Sequence, residues 1–159
     1  IVETAANDRG ARRNALGALA ISVPNLHRGK GIARRMIEAF RELAVAKGLD
    51  GVIAPVRPSE KHRHPFIPME DYLGWTDDRG RIYDPWLRSH ISAGGKIIKQ
   101  AERSMTVEEP VAFWETWLGQ RFEGSGAYAI EGALTPVSID IERGVGRYVE
   151  PNVWFAYAA

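Results

Sequence analysis

Between Ala15 and Lys47 an apolar run stops at a proline, turns on two glycines and gives way to a helical pattern. Leu16 to Val23 is mostly apolar, with β-branched Ile21 and Val23, and predicts a buried strand from Ala15 to Val23. Pro24 brings no N–H to a sheet ladder and ends it. His27-Arg28-Gly29-Lys30-Gly31-Ile32-Ala33 makes the turn. Ile32, Met36, Ile37, Phe40, Leu43 and Ala44 then recur at three- and four-residue spacing, one apolar face of a helix over 33–47. Gly48 stands where such a helix stops. Gly51 to Val56 is a second short buried strand, so the stretch reads as a parallel βαβ unit with a right-handed crossover.

A strand, a glycine turn and a helix start together make an anion site. The first N–H groups of a helix lack intrahelical partners, and the helix dipole adds positive potential there. Glycines and a small residue such as Ala33 let a phosphate approach the backbone. Arg28, Lys30, Arg34 and Arg35 add charge, so a diphosphate is the natural occupant. The segment lacks the Walker pattern GxxxxGK[ST], and it departs from GxGxxG at its last position, Arg34. It fits [Q/R]xxGx[G/A], read on Arg28-Gly29-Lys30-Gly31-Ile32-Ala33.

In this turn and its flanking elements the chain resembles the GCN5-related N-acetyltransferases. The resemblance implies an α/β (α+β) fold: a mixed, twisted sheet with flanking helices, here with a β-rich C-terminal part. It implies acetyl-CoA as co-substrate and no metal. Arg28, Gly29, Lys30, Gly31, Ile32 and Ala33 would hold the pyrophosphate, and the backbone of Ile21 and Val23 the pantetheine amides. The family's two CoA strands splay at their ends to admit the pantetheine arm. A helix after the second strand often carries a tyrosine four residues before a glycine, near the CoA sulfur. Here that helix runs from Asp84-Pro85, an N-cap and a first helical residue, and His90 stands four residues before Gly94. A histidine suits general acid or base work. His90, or failing it Tyr72 or Tyr83, is the candidate to protonate the departing thiolate.

The implied activity is acetyl transfer to an amine by direct attack. Pro68-Met69-Glu70-Asp71-Tyr72, Asp84-Pro85 and His90 also resemble a branch of the family found in polyketide synthase loading modules. That leaves malonyl-CoA decarboxylation with S-acetyl transfer to a carrier-protein thiol as an alternative. A non-catalytic CoA-binding regulatory module is another, and a nucleotide-binding domain unrelated to CoA a third. The acceptor is a small molecule or a carrier-bound group.

The whole chain, 1–159, reads as one domain: 1–14 a remnant of a preceding segment, 15–95 the CoA-binding core, 96–159 C-terminal strands and a short helix. The family places about three strands and two helices before its CoA strand, and they help to shape the acceptor pocket. Here fourteen residues precede it, and the start, Ile-Val-Glu-Thr, is neither a signal peptide nor an initiator methionine. The expectation is that this part is missing or supplied by another chain. An incomplete sheet would expose an edge open to a homodimer partner or to that segment. With no cysteine there is no thiol nucleophile and no thiolate metal site. A net charge of +1 implies no nucleic-acid or membrane partner, and no apolar run approaches a membrane span. The default expectation is a cytoplasmic protein.

Farther along, Arg57 to Pro68 reads as a basic, solvated loop held by prolines, with His62 and His64 in it. Met69 to Trp75 reads as one or two helical turns bearing Glu70 on a solvated face. Lys96 to Ala101 and Arg103 to Val107 read as a strand or a pair. Val111 to Leu118 reads as a short helix whose Phe113, Trp114 and Trp117 supply core or a docking face. Gly119 to Gly132 reads as a loop. Ala133 to Ile141 and Arg147 to Tyr157 read as strands about a turn at 142–146. A bulge over Glu150–Trp154 is expected to bring Asn152 toward a pocket.

Overall fold

The computed structural model describes residues 14–27 and 29–159. Within them the strands are β1 (Ala15–Gly17), β2 (Gly51–Val56), β3 (Lys96–Pro110), β4 (Gly126–Tyr128), β5 (Val137–Asp140) and β6 (Val145–Ala158). The helices are α1 (Ile32–Ala46), α2 (Met69–Leu73), α3 (Pro85–Ser92) and α4 (Val111–Leu118). The six strands form one mixed sheet: β1 and β2 are parallel and the other pairings antiparallel. The expected mixed α/β fold with a β-rich C-terminal part is what forms.

β6 is the axis of this sheet. One of its edges carries β3 from Val145 to Ala156. The other carries β5 at Val145–Arg147 and β2 at Val153–Ala158. Side chains alternate across a strand, so β6 serves two cores. Val153, Phe155 and Tyr157 pack with Ile37 and Ala44 of α1, Leu87 of α3, and β2. Tyr148 faces the other way, into a core with Trp114 of α4, Phe122, Val137 and Ile139.

The first strand is shorter than its apolar run predicts. β1 pairs with β2 only through Gly17↔Ile53, and a last bond runs from Ala18 N–H to Ile53 O at 2.8 Å. Residues 18–24 then leave the sheet, so Ile21 and Val23 stand on an irregular segment, with Ile21 across a cavity from Ala54–Val56. Pro55 shares the backbone edge of Ile53, which faces this gap. A proline is tolerated in a central strand there because that edge asks for no N–H.

Other boundaries shift for similar reasons. Lys96–Pro110 is one strand rather than two, since β6 templates its whole length. The irregularity expected in the last strand lies instead in β3, between Ile97/Lys99 and between Ala101/Met105, where β3 holds the extra residues. Asn152 lies opposite Ala101 there; its Oδ1 is buried without a partner among the described residues, and it lines none of the cavities described below. The strand expected over 133–141 spans Val137–Asp140, and the 119–132 loop contains short β4. No helix among the described residues is long and apolar enough to cross a membrane.

Candidate active site

The gap left by β1 is the start of a cavity of about 190 Å³. Ala18 to Ile21 form one wall and Ala54 to Arg57 the other, with Ile37 and Phe40 of α1 and Trp86 and His90 of α3 between them. A second cavity of about 570 Å³ shares Ile21 and Trp86 with the first. Val23, Gly29, Gly31, Ile32 and Ala33 line it from the turn, and Ser59, Pro85 and Ser89 from across. Gly29 and Gly31 have φ of +73° and +72°, and a Cβ at either would meet no atom within 4 Å. The α1 start has no side-chain cap, leaving its first N–H groups to this cavity. A diphosphate therefore fits the turn on three counts: open space over the glycines, uncapped donors and the cationic flank. A groove of about 760 Å³ continues from it, sharing Arg34, Pro85 and Ser89, and adds Arg81 and Arg88.

Among the turn residues singled out in the sequence, Ile21, Val23, Gly29, Gly31, Ile32 and Ala33 thus share one cavity wall. Lys30 is exposed and does not line it. Arg28 lies outside the described residues.

His90 sits on α3 and is 4% exposed. Its Nδ1 is hydrogen-bonded to the Tyr157 hydroxyl, and its Nε2 is buried without a partner among the described residues. The ring lies edge-on to Trp86 with centroids 4.5 Å apart, and against Phe155. Burial lowers the His90 pKa to about 4 and raises the Tyr157 pKa to about 12. At neutral pH the pair is an uncharged imidazole beside an intact phenol, both in the wall of the first cavity. Tyr157 has no local signal in the sequence; it reaches His90 from 67 residues away.

Tyr72 and Tyr83 stand elsewhere. Tyr72 is 1% exposed and donates its hydroxyl to Asp84 Oδ2 at 2.8 Å. Burial and the Asp84 carboxylate both push its pKa up. Tyr83 packs edge-on to Tyr72 and Trp75 in a cluster that includes His64. Neither lines any of these cavities.

Asp84 is the hub that sets α3. Its carboxylate accepts from the N–H groups of Trp86 and Leu87 as helix cap, from Glu60 N–H, from Ser59 Oγ and from Tyr72. Burial alone would raise its pKa; the donors outweigh burial and hold it below the usual carboxylate range. The loop before it is not the solvated one the sequence predicts. Lys61 is fully buried and donates to the carbonyls of His64 at 2.7 Å and Leu134 at 2.8 Å. Burial lowers its pKa. The lysine stem and its two carbonyl partners pin the loop to the second half of the chain.

A further cavity, of about 370 Å³, lies between α4, β3, β6 and residues 130–133. It adjoins the second core, across β6 from the first. Arg57, at the end of β2, lines both it and the first cavity. The Arg57 guanidinium donates to Glu150 Oε1 at 3.0 Å and to Gly132 O at 2.6 Å. Tyr148 donates to Glu150 Oε2 at 2.6 Å.

No family model matches the chain. The arginine N-acetyltransferase avaD of Aspergillus versicolor is 36% identical to it over 162 residues, covering 91% of this chain and 56% of avaD. A crystal structure of the loading GNATL domain of CurA from Lyngbya majuscula superposes with a TM-score of 0.53 at 19% identity, covering 91% of this chain and 54% of that one. The chain thus spans about half the length of the proteins it matches. By sequence the chain is thus similar to an N-acetyltransferase, and by fold to a GNATL domain of the superfamily that its glycine turn resembles.

Proposed function

We propose that this chain transfers an acetyl group from acetyl-CoA to an amine. The observation that carries the reading is the continuity from the glycine turn, through the gap between β1 and β2, to the buried His90–Tyr157 pair. The pyrophosphate sits on the N–H groups of Gly29 to Ala33. The pantetheine lies along Ile21 and Val23, and the nucleotide end reaches the groove with Arg34, Arg81 and Arg88. Likeness to avaD supports an amino-group acceptor, and a guanidino amino acid is the first substrate to try.

The reaction needs a neutral amine held against the thioester. The amine nitrogen bonds to the carbonyl carbon, the C–S bond breaks, and the proton shed by nitrogen ends on sulfur. His90, uncharged at neutral pH, does not act as a stored imidazolium. Tyr157 keeps its proton and donates it to Nδ1, which leaves the ring proton on Nε2. That N–H hydrogen-bonds to the sulfur as charge develops and stays on the ring, while the proton shed by the amine reaches the thiolate through solvent.

The test is calorimetric titration with acetyl-CoA beside the Ala33→Glu variant. Position 33 is in the first turn of α1, where glutamate favours the helix, so the variant folds while its carboxylate repels a diphosphate. Micromolar binding by the parent that weakens about 30- to 150-fold in the variant is expected, given roughly 2–3 kcal/mol for a misplaced charge at a phosphate site. Equal binding by both places the cofactor elsewhere.

A further inference from the structure

The cavity beneath α4 has no part in the scheme above, and its lining is specific. Phe113 and Trp117 are 44% and 63% exposed at its wall, while Trp114 between them is 2% exposed and fixed by its Nε1 bond to Gly146 O at 2.9 Å. Two large aromatic faces are thus left to solvent on a helix whose third aromatic anchors it. The polar lining is Glu131, Glu150, Arg57 and Tyr148. Arg57 is the one cation among these lining residues. Its charge is matched by Glu150, and its guanidinium is turned to Glu150 and Gly132. Glu131 is exposed, and no second cation stands in the cavity lining to offset it. The cavity therefore has an excess of negative charge beside exposed π faces, a combination that favours a cation.

We infer that this cavity is the acceptor site, and that it takes a small amine carrying a second, positively charged group on an apolar stem. This inference rests on the acetyl-transfer reading. The charged group stacks on Trp117 and Phe113 near Glu131, and the stem runs along the apolar wall. The nucleophilic amine is then directed past Arg57, whose side chain stands in the walls of both this cavity and the one holding His90. Apart from Arg57, the described residues that line this site all fall between Met105 and Glu150.

The experiment is calorimetric titration of arginine and of citrulline into the CoA-saturated protein, with Trp117→Ala and Glu131→Gln variants beside it. Citrulline has the same length and the same α-amine but an uncharged end. Both substituted residues are exposed, so the fold and CoA affinity are expected to hold. Arginine is expected to bind about tenfold tighter than citrulline, and either substitution to shrink that ratio. Arginine binding no tighter than citrulline, or a ratio unchanged in both variants, overturns the assignment. Failure of the parent to bind CoA at all is a different result, and sinks the acetyl-transfer reading itself.

Discussion

Two residues decide how the site responds to pH and to substitution. His90 binds its proton near pH 4 in the folded chain and near 6.5 when unfolded. Its buried neutral ring therefore takes nothing from stability above pH 6.5, and stability falls as the pH drops toward 4. The loss over that window is roughly 3 kcal/mol. Denaturant titrations at pH 7.5 and 4.5 should show it, and His90→Gln should flatten the difference. Tyr72 is the contrasting case. Tyr72→Phe removes one of five donors to Asp84 and should cost about 1–2 kcal/mol, read by thermal or denaturant melting. Acetyl-CoA affinity and turnover should stay at the parental level, because the hydroxyl lies outside the cavities. A large drop in kcat at unchanged stability would return Tyr72 to the chemistry. Its place before Gly94 singles out His90 in the sequence, but no local signal shows that Tyr72 serves Asp84 instead of the chemistry; that follows from what each side chain meets in the fold.

At the scale of elements, what the chain shows locally is what forms. The 3.6-residue rhythm of Ile32–Ala46, the β-branched Gly51–Val56 run, the Asp84-Pro85 start and the aromatic Val111–Leu118 stretch carry their own signals. The end of β1 carries none. Its residues remain apolar to Val23, and only the course of β2 and α3 in space determines that pairing stops at Ala18. The His90–Tyr157 and Arg57–Glu150 contacts span 67 and 93 residues and are equally invisible to local pattern. The join between α3 and β3 shows how tightly one element is set by another. A Cβ on Gly95 would stand 2.8 Å from His90 O, 2.8 Å from a Tyr157 ring carbon and 2.9 Å from one of Phe155. Gly95→Ala should destabilise by about 1–3 kcal/mol and displace the Tyr157 ring from His90. Melting curves give the first; a fall in kcat larger than the change in acetyl-CoA affinity gives the second.

For the molecule as a whole, β6 divides two environments. The cavities at the glycine turn and His90 lie on one side of it and the aromatic cavity on the other, and Arg57 stands in both walls. On the proposed reading the two reactants enter from opposite faces and do not block one another's doors. The chain holds no cysteine thiol to store the acetyl group, and on the proposed reading the amine attacks the thioester directly. Turnover then requires both to be present at once, so initial rates with acetyl-CoA and acceptor varied together should give intersecting double-reciprocal lines. Parallel lines would mean a covalent acetyl-enzyme and a different chemistry. On the proposed reading the placement of one arginine at the end of one strand thus becomes a statement about time: either reactant could arrive first and wait, and the products could leave in either order.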